Sequence, residues 1–302
     1  MWSTCCVTLV AASIFSLWVL AGGVEAFAPP ASTLARHHIT GTALNLFNFG
    51  GGGSAGAGGA SSVPKSPAAR DSQAIGSIKA ALASPKNSSF RLVEAEFPVL
   101  AALNKLGDGS LRSAKEAEAA NLQFALKLAK SISIPFVGPK VYVVTSSTAS
   151  GSFAASAAKK AAASVISLKD GLPDFDATDI VIFLTPSTNA DYRTAESTAT
   201  SGTVGGVIII NGYAKDAKSV KQEATMGYFY KPLTYNSQIA GYLVREYPSK
   251  WTAIDAVTNS VLGTFTDEEI LVRKTNTPDL RTSVKLVQKS FDERAIEARR
   301  RG

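Results

Sequence analysis

From residue 71 onward the chain switches between the hydrophobic periods of helices and strands. RDSQAIGSIKAALASP predicts a helix with Asp71 or Ser72 as N-cap and Pro85 as stop. FRLVEAEFP, Phe90 to Pro98, follows as a strand, and residues 99–110, with Gly107 and Gly109, as a loop. Ser113-Ala-Lys-Glu116 is a capping box. It opens a helix with Ala117, Phe124, Ala125, Leu128 and Ile132 along one stripe. KVYVVT (Lys140 to Thr145) is a buried strand, residues 152–163 a helix of small residues, and residues 164–168 a short strand. DIVIFL (Asp179 to Leu184) and GVIII (Gly206 to Ile210) are unbroken apolar runs, the pattern of strands covered on both faces.

Strands separated by helix-sized connections imply right-handed crossovers and a parallel sheet. After a helix over residues 215–223 the rhythm changes. GYFYKP, IAGYLVREYP, WTAIDAV and VLGTF are strand-like runs joined by short turns at Pro248-Ser249 and Thr258-Asn259-Ser260, which predicts an antiparallel meander continuing the sheet. Thr266-Asp-Glu-Glu269 is a second capping box. Pro278 precedes a last amphipathic helix with Leu280, Val284, Val287 and Phe291 on one side. The fold class is α/β: a three-layer domain with a mixed, partly parallel sheet and a C-terminal amphipathic helix. No internal repeat is present.

The N-terminus has a different grammar. Residues 7–20 (VTLVAASIFSLWVL) are apolar but shorter than the roughly 20 residues that span a bilayer core. They lead into Val24-Glu25-Ala26, a small-x-small cleavage site. From Phe27 to Arg70 there is no acidic residue, while Ser, Thr, Ala and basic residues are present, as in transit peptides. The organisation expected is a signal peptide over 1–26, a transit peptide with a disordered Gly-rich linker over 27–70, and one α/β domain over 71–302. The n-region MWST carries no basic side chain, which leaves an uncleaved anchor as an alternative. Ala26-Phe27-Ala28-Pro29, with Phe first after the cut, resembles the bipartite plastid presequence of diatoms and related algae. That resemblance implies a plastid protein, in the stroma or on the stromal face of the thylakoid. Secretion is the competing address, and Asn87-Ser88-Ser89 would then be a glycosylation sequon. Gly51 to Gly56 satisfies G-x-G-x-x-G but lies between no strand and helix, so it reads as linker.

Composition narrows the chemistry. Cys5 and Cys6 lie in the signal region and His37 and His38 in the transit region, so the domain from residue 71 has neither thiol nor imidazole. That excludes from it a structural zinc site, a disulfide, a Cys nucleophile and a Ser-His-Asp arrangement. No metal or cofactor is expected. The net charge of +7 is spread among interspersed charges, with no stripe for nucleic acid. No segment after the signal region reaches membrane-spanning length, so any membrane contact is peripheral.

Several polar residues are candidates for a ligand or partner site. Asn121 falls on the apolar stripe of its helix, where it either ties the helix to a neighbouring loop or meets a ligand. Glu94 and Glu96 point the same way on their strand, towards water, a basic residue or a cation. If either is buried, its partner must come from another element, since Arg91 faces the other side. Ligands in open α/β sheets bind outside the carboxyl ends of the strands. Those ends carry Thr185, Ser187, Thr188 and Asn189 after one strand and Asn211 and Gly212 after another. Ser187 or Thr188 would cap the next helix and leave amides open to an anion; no Walker lysine accompanies them. Tyr247 and Trp251, with Arg245 just upstream, are either an exposed partner surface or a plug for the sheet end. The Arg299–Arg301 run complements the final helix's macrodipole.

Four segments carry a family resemblance: Arg91-Leu-Val-Glu-Ala-Glu96-Phe97-Pro98, Asn121-Leu-Gln123-Phe-Ala-Leu, Ile210-Asn211-Gly212, and Leu243-Val-Arg245-Glu-Tyr247-Pro248-Ser-Lys-Trp251. Together, over residues 75–271, they resemble the plastid domain of unknown function nineteen-ninety-five. That family includes the low photosystem II accumulation assembly factors and a C-terminal extension of a chloroplast adenylate kinase. The resemblance implies a non-enzymatic plastid auxiliary protein that binds a protein partner, a thylakoid photosystem subunit or assembly intermediate. It carries over no catalytic residue. The alternative is a small-molecule binder or enzyme using the strand-end crevice, with a phosphometabolite or nucleotide as ligand.

Overall fold

The computed structural model of the chain describes residues 60–84, 91–99, 111–133, 138–150, 153, 164–212, 224–272 and 277–301. Residues 1–59, where the signal and transit segments are expected, lie outside these residues. So do nearly all of the small-residue helix expected over 152–163, the helix expected over 215–223, and most of the loop after the first strand.

Helix α1 (Pro67–Leu82) starts a full turn earlier than the sequence reading placed it. Ser66 is the N-cap, its hydroxyl accepting from the Ala69 amide at 3.1 Å, and Pro67 pre-sets the first helical φ. Asp71 and Ser72 are therefore interior residues and cap nothing. The segment before α1, assigned to the linker by its composition, is packed from Ala60 onward. Ala60 bridges Lys250, and the buried Ser61 donates its amide to Thr252 Oγ1 at 3.0 Å.

Strand β1 (Leu92–Glu96) leads to helix α2 (Leu111–Ile132). This helix already runs at Leu111, so Ser113 lies inside it and is not its N-cap. Its stripe of Ala117, Phe124, Ala125, Leu128 and Ile132 is buried. Then come β2 (Val141–Thr145), β3 (Ser164–Ser167), β4 (Ile180–Leu184), helix α3 (Asn189–Thr200) and β5 (Gly206–Ile210). The chain ends in a meander of β6 (Thr225–Tyr235), β7 (Gln238–Glu246), β8 (Trp251–Asp255) and β9 (Val261–Phe265), a one-turn helix α4 (Asp267–Ile270), and α5 (Leu280–Arg301). The Thr266 box opens α4, the Thr266 amide reaching Glu269 Oε2 at 2.7 Å.

All nine strands form one sheet in the order β3-β2-β4-β5-β1-β6-β7-β8-β9. It is parallel from β3 to β6 and antiparallel from β6 to β9, the mixed sheet its sequence pattern predicts. In β5, Ile208 and Ile210 face α1 and α2, while Val207 and Ile209 face α3. Both faces are covered, which is why the run is continuously apolar; each such side chain contributes about 1.5–3 kcal/mol by leaving water. On the α3 side, α5 packs Val287 against Phe229, Leu243 and Trp251 of the meander. The contact is close enough to need Gly241, where a Cβ would sit 2.6 Å from Val287 Cγ2 and from Ile254 O.

Two ends of this sheet matter for function. β2 connects towards β3 while β4 connects towards β5, so the carboxyl ends of β2 and β4 form a topological switch point. At a different place, the turn from β7 into β8 lies beside α4.

Candidate functional site

The strands β4 and β5 both end in the left-handed region, Thr185 and Asn211 each having φ of 48°. Their amides still extend the ladder, Thr185 to Ile210 O at 2.8 Å and Asn211 to Ala95 O at 2.9 Å. For a β-branched residue such as Thr185 this conformation is strained, by roughly 1–3 kcal/mol. The turn brings Asn211 inward. Its Oδ1 accepts from the Phe97 amide at 2.8 Å, and its Nδ2 donates to Asn121 Oδ1 at 2.7 Å. Asn121 is fully buried and Asn211 nearly so. The two amides thus tie β5, β1 and α2 together, the tethering role among the two weighed for Asn121.

Beside them Gly212 admits the Tyr192 hydroxyl. A Cβ on Gly212 would lie 1.4 Å from that oxygen, so the phenol occupies the space of a side chain. Burial pushes the Tyr192 hydroxyl well above the usual tyrosine value, and the nearby charges of Glu94, Glu96 and Asp191 push it further. Glu94 is buried and Glu96 half-buried, on the same face, as their spacing implies. The basic partner of Glu96 comes from another element, Lys231 of β6 at 3.7 Å.

At the switch point the hydroxyls of Ser146, Thr148 and Ser187 bond to one another; Ser146 Oγ lies 2.6 Å from Ser187 Oγ. Ser146 also donates to Asp191 Oδ2 at 2.7 Å, and the Ser187 amide reaches the same oxygen at 3.1 Å. Thr188, not Ser187, caps α3, accepting from the Asp191 amide at 3.1 Å. Asn189 is the first residue of α3 and is exposed. Burial raises the Asp191 carboxyl, but hydrogen bonds from Ser147, Ser146, the Ser187 amide and Thr188 outweigh it and hold it below the ordinary carboxylate value. Asp191 turns the helix N-terminus, where an anion would bind, into a site already filled by the protein's own carboxylate.

Arg245, Tyr247 and Trp251 do not join this group. Trp251 is fully buried and stacks edge-on against Phe229 with ring centroids 5.1 Å apart, so it plugs the sheet. Its indole donates to Asp267 Oδ1 at 2.5 Å. Arg245 holds the same carboxylate with both terminal nitrogens, at 2.6 and 3.2 Å, and its guanidinium lies 5.3 Å from the Trp251 ring centroid. Tyr247 is half-buried, with its hydroxyl on Ser84 Oγ at 2.7 Å. A cavity of about 350 Å³ opens here between the β7–β8 turn and α4.

Arg70 and Asp71, neither of them among the candidate site residues, form a buried charged cluster. Arg70 is buried, donates to Pro98 O and Val99 O at 2.8 and 3.0 Å, and pairs with Asp71 at 2.6 Å. Asp71 in turn holds Lys127 of α2 at 2.7 Å. The guanidinium sits 5.2 Å from the Phe97 ring centroid, fixing the Glu96-Phe97-Pro98 stretch against α1. The sequence shows only an adjacent Arg70-Asp71 pair at the end of a stretch with transit-peptide composition, and nothing in that pattern signals burial. Among the described residues no group of three or more Asp, Glu, His or Cys is placed to hold a metal ion, and no helix is long and apolar enough to cross a membrane.

The chain belongs to the family described as domain of unknown function (DUF1995), whose model matches residues 64–268 and so spans all nine strands. The match includes Arg70, Asn121, Asn211, Arg245 and Asp267, and it ends before α5. Comparison with curated proteins and with solved structures returns no match.

Proposed function

We propose that this chain is a plastid-targeted auxiliary protein without catalytic activity, which binds a protein partner, a thylakoid photosystem subunit or an assembly intermediate. It acts in the stroma or on the stromal face of the thylakoid, with at most peripheral membrane contact. The observation that carries this reading is the filling of the strand-end crevice from within. Ser146, Thr148, Ser187 and Asp191 bond to each other, Asn211 spends both ends of its amide on Phe97 and Asn121, and the Tyr192 phenol covers Gly212. A ligand cradle keeps such groups free to converge on a substrate. Among the described residues the nucleotide or phosphometabolite reading therefore finds no open set of donors there. Family membership and the presequence pattern of residues 1–70 support the same direction.

The test is affinity capture, with the purified chain as bait on solubilised algal plastid membranes. Enrichment of photosystem subunits over a bait of matched charge supports the reading. Recovery of no photosynthetic subunit, together with a rise in melting temperature on adding nucleotide, reverses it. A fluorescent fusion of residues 1–70 tests the address separately, since label in the medium would make the protein secreted.

A further inference from the structure

We propose that the cavity between the β7–β8 turn and α4 binds a carboxylate carried on an apolar group, the chemistry of a peptide's free C-terminus. A guanidinium has five N–H donors. Three of those of Arg245 are used, by Met226 O at 3.2 Å and by the two oxygens of Asp267. The other two meet no acceptor among the described residues, although the side chain is only 7 % exposed and lines the cavity. Each Arg245 nitrogen thus has one partner, and the N–H bonds left over have room for a further acceptor in the cavity that the side chain lines.

The rest of the lining says which acceptor. Lys250 stands exposed at the rim, and its ammonium makes no ion pair among the described residues. Asp267 is no counter-attraction for a cation, because Arg245 and the Trp251 indole already hold its oxygens. Met226, Phe265 and Leu271 supply the apolar part. The volume of about 350 Å³ lies at the small end of ligand pockets, enough for a terminal residue and its neighbour. The guanidinium is held in place by the Trp251 and Tyr247 rings, with centroids 5.3 and 5.8 Å away, so little ordering remains for binding to impose. A small free apolar acid offers the same chemistry.

This inference deepens the partner-binding reading, and it is tested apart from it. Calorimetric titration of the full chain would use acetyl-Ala-Ala-Leu with a free carboxylate, its C-terminal amide, and isovalerate. The free-acid peptide binds, and the amide binds about tenfold more weakly or worse. Lys250→Ala weakens the acid by about two- to fivefold without changing the melting temperature. Arg245→Lys, if it folds, weakens it further; if it does not, Lys250→Ala still decides the matter. Isovalerate matching the peptide keeps the carboxylate pocket and assigns it to a small acid. Equal affinity of acid and amide, or no binding of either at millimolar concentration, overturns the proposal. If the peptides fail while the chain still captures a photosystem subunit, the pocket falls and the partner reading stands.

Discussion

Asn211 Nδ2 donates to Asn121 Oδ1 at 2.7 Å, joining the end of β5 to the interior of α2. The other end of the Asn211 amide takes the Phe97 amide at 2.8 Å, so the carboxyl end of β1 is fixed by a side chain from its neighbour. Asn121→Leu keeps the volume but strands the Asn211 donor in the core. The expected loss is about 1–3 kcal/mol, read as a lower urea midpoint with unchanged slope. An unchanged midpoint would mean that the amide bridge contributes nothing.

The Tyr192 hydroxyl behaves in the opposite way. It is buried and has no hydrogen-bond partner among the described residues. Tyr192→Phe therefore removes an unsatisfied polar group, and its stability should stay within about 0.5 kcal/mol of the parent or exceed it. Gly212→Ala drives a methyl into that phenol and should lose about 1–3 kcal/mol by overpacking. Thermal unfolding of the two variants side by side checks both signs.

Asp255 gives a pH signature. It is fully buried, with its carboxylate accepting from the Val257 and Thr258 amides, from Ser290 Oγ at 2.8 Å and from Arg294. Burial alone would raise this carboxyl, but the Thr258 amide, Ser290, the Val257 amide and Arg294 outweigh it and hold it at about 2, below the ordinary 3.8. A depressed folded-state value means a stabilisation present above the unfolded value and lost as pH falls towards the folded one. The melting temperature should drop between about pH 4 and pH 2, and Asp255→Asn, already weakened at neutral pH, should flatten that part of the curve. A parallel fall in both proteins would contradict the assignment.

The N-terminal boundary is a further point of risk. A chain starting at Asp71 loses the Ser66 cap, the Arg70 bonds to Pro98 and Val99, and the Ser61 contacts with Thr252. It should melt several degrees below a chain starting at Ala60, since a helix cap alone is worth about 1 kcal/mol. Equal melting temperatures would show these contacts to be idle.

Most of the sheet could be read from the sequence because its strands obey simple rules. DIVIFL and GVIII are apolar on both faces because α1 and α2 cover one side and α3 the other. The meander showed itself through short turns, and the last helix through the stripe of Leu280, Val284, Val287 and Phe291. Helix starts were harder. Ser66-Pro67 is a strong local signal, but it sat in a stretch whose composition pointed to a linker, and Ser113 fits a capping box but lies in a helix that already runs at Leu111. The candidate residues divided for a similar reason. Asn211 and Asn121 could each be singled out as polar residues in apolar company, yet nothing in sequence announces that they bond to each other across ninety positions. Asp267 looked like a capping-box residue and turned out to hold Arg245 and Trp251 as well.

The function proposed for this fold is docking onto a photosystem component, with the strand-end groups Ser146, Ser187, Asp191 and Asn211 already bonded within the protein. The most direct measurement is native-gel fractionation of plastid membranes with an antibody to this chain, repeated after assembly is blocked. Co-migration with an assembly intermediate that disappears under the block is the result predicted. Migration at the mass of the chain alone, with purified protein turning over a nucleotide or phosphometabolite and losing that turnover in Ser187→Ala, would contradict it.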